Sequence, residues 1–421
     1  MIKQFKEINR PFLNLFRKET KNVLVILCLF FGIYFTYSSI RSSTDALFVH
    51  QSGAAKTPFV WLLSVIFLSL SITTYNYFQK KFGLKKFFFW TSLFSALSFA
   101  LLVFLNVRGY LATSYALFIL KEIYIVLLVH LGLAYCNNFF TLEEARAFYG
   151  PFGAIGSIGS TFGGEFASWW IKNGLSTFSL LYFSAFMLFL LGPFFLLLKS
   201  GKDKTRYKDN HDLEGKFDHP IQTLKNVKEY VFFILFIVAL SQFCINIANL
   251  QFNLKFAEVF SGTLDMKTEF MGRVYAFIGL GTLIIQFFIV PPALTFFKAR
   301  KVHFFIPISY MCVSIAAYFI LGHSLWIMAA AFIFFKAMDY SLFSSAKEML
   351  YFSLSPGQKV GAKYLTDMVV YRLAKGLISL ILIYMQSFVV LSFMLIIFMG
   401  IWLLSVIKIF KYQKILLEKK T

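Results

Sequence analysis

Twelve long apolar runs, each followed by a short polar or basic segment, set the pattern of this chain. They lie at 23–40, 58–78, 87–105, 110–135, 147–171 and 178–198, then at 230–252, 272–297, 304–322, 325–351, 364–385 and 388–409. Each is close to the ~20 residues that a helix needs to cross a bilayer. Between the sixth and the seventh, residues 199–229 are polar and strongly charged. The pattern predicts an all-α integral membrane protein with twelve transmembrane helices in two sets of six. The predicted organisation is a basic N-terminal segment (1–22), a six-helix bundle (23–198), a charged linker (199–229), a second six-helix bundle (230–409) and a basic tail (410–421).

Composition supports that class. Hydrophobic residues make up 58% of the chain and charged ones only 14%, with 56 phenylalanines among 421 residues, too little polar surface to cover a soluble globule. The net charge of +21 changes the picture less than it first suggests. Its lysines and arginines concentrate in the N-terminal segment, the 79–86 loop, the 199–229 linker, the 298–303 loop and the tail, whereas the intervening loops are poor in them. That alternation follows the positive-inside rule, predicts both termini in the cytoplasm, and explains the basic residues without nucleic acid. The first run has no small-residue cleavage site after it, so it reads as a retained span and not as a signal peptide. A multi-pass protein of a bacterial inner membrane is the expected setting, with the lipid bilayer as partner and a monomer as the simplest state.

Four cysteines (28, 136, 244, 312) and six histidines are scattered without metal-ligand spacing, so neither a metal nor a cofactor is expected. No Ser/His/Asp set and no HExxH motif points to an enzyme. The Gly-rich run GPFGAIGSIGSTFGG at 150–164 lacks the GK[ST] of a phosphate loop and reads as close helix packing.

Charged residues inside apolar runs are costly and usually functional. They concentrate in 336–375, with Lys336, Asp339, Lys347, Glu348, Lys359, Lys363, Asp367, Arg372 and Lys375. A shift of 215 residues carries Lys121 onto Lys336, each 11 residues into its apolar run, which is roughly 16 Å deep at 1.5 Å per residue. Six plus six spans with related halves and a basic central loop is the plan of the major facilitator superfamily, in which substrate binds between repeats. An ammonium at that depth attracts an anion and is a point-charge partner for phosphate. The alternative is structural pairing, of Lys121 with a carboxylate such as Glu165 and of Lys336 with Asp339. Tyr124, Tyr340 and Tyr351 either stack on a base or simply pack.

DYSLFSSAKEMLYFSL at 339–354, followed by Lys359, Val360, Lys363, Asp367, Arg372 and Lys375, resembles the KYSLFDPxKEMAYIPL and KVxxKxxxD…R…K patterns of a known family, the ATP/ADP translocases of plastids and intracellular bacteria. EEARAFYGPFGAIG (143–156), IRSSTDALFV (40–49), EFMGRVYAFIGLGT (269–282) and KEIY (121–124) resemble further family patterns, so the likeness covers most of the chain. Outside the 339–354 motif, Thr44 stands where the family has a lysine, and Asn249 stands near its seventh-helix glutamate.

The resemblance implies transport of nucleotides or related phosphorylated anions by alternating access, through exchange or proton coupling. The expected substrate contacts are Lys121, Lys336, Lys347, Arg41, Glu122 and Arg372. Glu143, Arg146, Glu348, Lys359, Lys363, Asp367 and Lys375 are expected as gating or structural charges, with Glu143 and Arg146 in a cytoplasmic loop whose counterpart carries Lys359 and Lys363. The alternatives are a proton-coupled transporter of a non-nucleotide organic anion and a non-transporting receptor or lipid-handling protein.

Overall fold

The computed structural model describes residues 19–140, 142–198, 225, 227–260 and 262–418, and of 76, 79–80, 142–150, 356 and 417 the backbone only. The N-terminal 18 residues, nearly all of the 199–229 linker, and the side chains of Glu143, Glu144 and Arg146 therefore lie outside the described residues.

Within them the chain forms twelve helical stretches and no strand, the arrangement that leaves no backbone polar group unsatisfied in lipid. They are α1 (Thr20–Ser52), α2 (Thr57–Phe82), α3 (Leu84–Val107), α4 (Thr113–Phe139), α5 (Leu142–Lys172), α6 (Thr177–Leu196) and α7 (Lys228–Val259), followed by α8 (Leu264–Phe296), α9 (Ala299–Ile320) and α10 (Leu325–Ser353), α11 (356–384) and α12 (Phe388–Glu418). Ten are long and apolar enough to cross a membrane; α5 and α11, the most charge-interrupted, are not among these ten. Large side chains such as Leu70, Phe94, Phe288 and Phe296 are 60–78% exposed on these helices, where lipid and not water is the fitting solvent.

Local chemistry explains the helix ends. Gly83, between α2 and α3, has φ 73°, a left-handed conformation that costs glycine least. Ser176 caps α6 by accepting from the Ser179 amide at 3.2 Å. Ser355 and Gln358 form a capping box at the start of α11, with Pro356 in its first turn.

α1 runs well past the predicted end of the first apolar run at Ile40. In its polar stretch 38–45, Ser42, Ser43 and Thr44 donate their hydroxyls to the carbonyls of Ser38, Ser39 and Ile40 at 2.7, 3.1 and 2.8 Å, which satisfies these buried groups within the helix. α4 begins at Thr113, three residues later than its apolar run. Lys121 thus sits eight residues beyond the start of its helix, whereas Lys336 sits eleven beyond Leu325.

The chain groups into two compact units. The first holds α1, α2 from Ile66 onward, α3 to α6, and α8 as far as Leu280; the second holds residues 53–65, α7, α8 from Gly281 onward, and α9 to α12. In the first, α1 packs on α4, α5 and α6, and α3 packs on α4 and α6. In the second, α7 packs on α10, α11 and α12.

Glycines set the closest approaches in the first unit. A Cβ on Gly159 would lie 2.6 Å from the Phe31 carbonyl of α1, and one on Gly164 would lie 2.6 Å from the Ala276 amide of α8. The Gly-rich run of α5 thus serves helix contact, as its sequence indicates.

In the second unit four helices carry π-helical turns, at Ile285–Ile289, Ala316–Ile320, Asp339–Phe343 and Leu365–Val370. Such turns interrupt the α register and are frequent at functional positions.

Candidate functional site

In the first unit three of the expected substrate contacts come together around a carboxylate that was not among them. Lys121 of α4 is 1% exposed and forms an ion pair with Asp45 of α1. Glu122 lies 3.9 Å from the same ammonium, and Phe118 presents its ring face to it at 3.3 Å. Arg41, one turn before Asp45, approaches that carboxylate at 3.8 Å and stacks on Tyr275 of α8 at 4.1 Å and on Tyr37 at 5.7 Å. The Tyr275 hydroxyl donates to the other Asp45 oxygen.

Asp45 thus joins α1, α4 and α8. The structural alternative for Lys121 holds in kind, but its partners are Asp45 and Glu122 and not Glu165. Among the described residues two formal cations face two carboxylates here, so any anion that entered would have to compete with Asp45 for Lys121 and Arg41.

The cations of the second unit are held differently. Lys336 of α10 is half-buried, lies over the exposed ring of Tyr340 at 5.3 Å, and makes no ion pair among the described residues. Its expected pairing with Asp339 is not formed. Asp339 opens the π-helical turn Asp339–Phe343 directly after it.

Lys347 is 6% exposed, donates to Asp367 at 2.9 Å, and sits over the Tyr371 ring at 5.0 Å. Asp367 lies in the π-helical turn of α11. Arg372, half-buried on α11, has the Met368 sulfur at 3.8 Å and no carboxylate in ion-pair contact among the described residues.

The charges expected to act in gating are near the start of α11. Lys363 pairs with Glu348 of α10 and lies 5.6 Å from the Tyr351 ring. Lys359 stands over Phe352 at 4.5 Å, and Lys375 is half-buried farther along α11. Lys363 therefore has a described partner within its own unit.

The tyrosines separate by exposure. Tyr124 is fully buried against Phe99 and Tyr37, with ring centroids 5.4 and 6.3 Å away. Tyr351 is equally buried, its hydroxyl donating to Thr366 at 2.8 Å. Both pack, whereas Tyr340 presents a 47% exposed ring under the Lys336 ammonium. Asp45 and Tyr275 were the residues missed. In the sequence Asp45 lies just beyond the first apolar run, and nothing there joins it to Tyr275.

No cluster of metal-ligating residues occurs among the described residues. The four cysteines are free, Cys136 and Cys244 buried and Cys28 and Cys312 exposed.

Comparison with known proteins extends this picture. The family described as TLC ATP/ADP transporter matches residues 289–419, which include α10 and α11. The "ADP,ATP carrier protein 3" of Rickettsia bellii (strain RML369-C) is 23% identical over 483 residues, covering 94% of this chain and 95% of that protein. Among solved structures, the nucleoside transporter NupG aligns with a TM-score of 0.64 at 13% identity, covering 93% of this chain and 99% of its own. A D-xylose-proton symporter aligns with a TM-score of 0.65 at 12% identity, covering 93% and 97%.

These structures establish the fold, which is that of the major facilitator-type transporters. The likeness to the ATP/ADP translocases that the motifs carry is borne out by the family match over α10 to α12 and by an alignment with a carrier of that name along nearly the whole chain.

Proposed function

We propose that this protein is a secondary transporter that moves nucleotides, or a closely related phosphorylated anion, across a membrane by alternating access. The observation that carries this reading is a set of buried or half-buried cations in a chain whose C-terminal helices match a nucleotide carrier family: Lys121 and Arg41 in the first unit, and Lys336, Lys347 and Arg372 in the second. Buried or half-buried cations of this kind cost stability unless an anion offsets them. A polyphosphate provides that anion. Lys336 is the leading contact because its ammonium has no carboxylate partner among the described residues and lies above an exposed aromatic ring. Lys121 and Arg41 become available as Asp45 yields to the substrate, and Glu122 holds Lys121 in the interim. Glu348, Lys363, Lys359, Asp367 and Lys375 act in closure of the cytoplasmic side, together with Glu143 and Arg146. Both termini are cytoplasmic, the bundles are 23–198 and 230–409, and a bacterial inner membrane is the setting.

A second reading is a transporter of a different organic anion, and one observation favours it. Thr44, where the family has a lysine, turns its hydroxyl onto the Ile40 carbonyl at 2.8 Å and supplies no charge. The two readings separate in a counterflow assay. Proteoliposomes loaded with unlabelled ADP are expected to take up labelled ADP faster than empty ones. Equal uptake in loaded and empty vesicles that is driven by a proton gradient would replace exchange with proton symport. Absence of nucleotide uptake and of nucleotide binding by folded protein would reject the nucleotide reading.

A further inference from the structure

Among the described residues of the second unit, Asp339 is the most deeply placed carboxylate, and the proposed substrate contacts do not use it. It is 8% exposed, inside a membrane helix, at the start of the π-helical turn Asp339–Phe343. One of its oxygens, Oδ1, is buried without a hydrogen-bond donor. Gln242 of α7 approaches it, but its amide nitrogen is also buried and does not reach hydrogen-bond geometry. A carboxylate in that position is costly while ionised, and the cost disappears when an O–H bond forms on Oδ1.

The groups that face Asp339 decide which ligand it takes. From its own helix they are Lys336 and Lys347, from α9 Tyr310, from α11 Tyr371, and from α7 the neutral Gln242. The α8 segment Ile285–Ile289, packed on the same turn, carries no ionisable side chain. Two lysines within electrostatic reach oppose a metal cation. A proton is different: it binds to the carboxylate, removes its charge and leaves no net cation behind.

We propose that Asp339 is a proton-binding site whose occupancy is linked to anion binding at Lys336. With Lys336 unoccupied, its ammonium stabilises the Asp339 carboxylate across one helical turn. When a phosphate oxygen engages Lys336, that stabilisation is shared with the ligand, and Asp339 takes a proton from water. Linkage then requires the reciprocal effect, with protonation of Asp339 favouring anion binding. This linkage rests on the reading of Lys336 as a substrate contact; the proton site does not.

Infrared difference spectroscopy of the purified full-length protein tests both parts. On titration from alkaline to acid pH, a protonated-carboxyl C=O band is expected to grow in the wild type, to lose one component in Asp339→Asn, and to regain a displaced component in Asp339→Glu. An identical band in wild type and Asp339→Asn would overturn the site, and this arm needs no nucleotide. At fixed pH, adding ADP is expected to increase that component in the wild type and to leave it unchanged in Lys336→Ala. Binding of ADP, seen by calorimetry, without any change in the component would overturn the linkage. Absence of ADP binding would reject the nucleotide reading and its linkage, while the pH titration still decides the proton site.

Discussion

The two units hold a lysine in opposite ways. Lys121 in the first is clamped: Asp45 pairs with it, Glu122 stands 3.9 Å away, and Arg41 and Tyr275 complete the cluster. Lys336 in the second is half-buried over Tyr340 and has no ion-pair partner among the described residues. The surrounding helices differ as well. The first unit is drawn tight by glycines of α5, whereas the helices of the second are interrupted by four π-helical turns. The contrast teaches that a charge inside a membrane protein has two stable uses. One is to be neutralised by carboxylates of the fold, as at Lys121, and the other is to be held over an aromatic ring with no ion-pair partner among the described residues, as at Lys336.

The strongest way to break the comparison is to unclamp Lys121. Asp45→Ala leaves a buried ammonium with its main counter-ion gone, a change that typically costs about 3–5 kcal/mol. Thermal unfolding in detergent should show a large drop, and removing the charge of Lys121 in the same chain should restore much of it. A drop no larger in Asp45→Ala than at an exposed position would mean that the cluster does not hold the unit together.

Lys336→Ala should behave in the opposite sense. Charge-assisted hydrogen bonds contribute about 1.5–3 kcal/mol each, so nucleotide affinity measured by calorimetry should fall roughly tenfold to a hundredfold. Stability should change by less than about 1 kcal/mol. Unchanged affinity with reduced stability would make Lys336 a second structural charge.

Gly272→Ala sharpens the difference in packing. The new methyl would lie 2.7 Å from the Gly164 carbonyl and 2.9 Å from the Ser168 amide, both backbone atoms that cannot move aside. Overpacking of this kind costs about 1–3 kcal/mol, to be read from the unfolding midpoint.

The smallest effect is expected from Asp367→Asn. Its side chain is 46% exposed although Lys347 is nearly buried, so solvent screens the pair and the change should stay within about 1 kcal/mol. A larger loss would show that the π-helical turn of α11 depends on this bond.

The helices were legible because length and hydropathy decide whether a segment can span a bilayer. Their limits were less so. The first span reads as ending at Ile40 because the residues after it are polar, yet Ser42, Ser43 and Thr44 satisfy their hydroxyls within α1 and the helix continues to Ser52. Among the site residues, Lys121 and Glu122 stand out as intramembrane charges without any structure, whereas Arg41 reads as lying at the end of its apolar run. Asp45 reads as an interfacial residue just beyond an apolar run. Tyr275 is one aromatic among many, and its contact with Asp45 spans 230 residues of sequence. The pairing of Lys336 with Asp339 assumed regular helical spacing, and nothing in DYSLF announces the π-helical turn that begins there. Contacts distant in sequence and local departures from the α register leave no mark in composition or periodicity.

Uptake of labelled ADP into proteoliposomes, with and without ADP inside, tests the central claim most directly when wild type and Lys336→Ala are measured side by side. Internal nucleotide is expected to accelerate uptake by the wild type, and uptake by Lys336→Ala is expected to be roughly tenfold or more lower at an unchanged unfolding temperature. Absence of nucleotide uptake by folded wild-type protein, or equal uptake by both proteins, would contradict that claim.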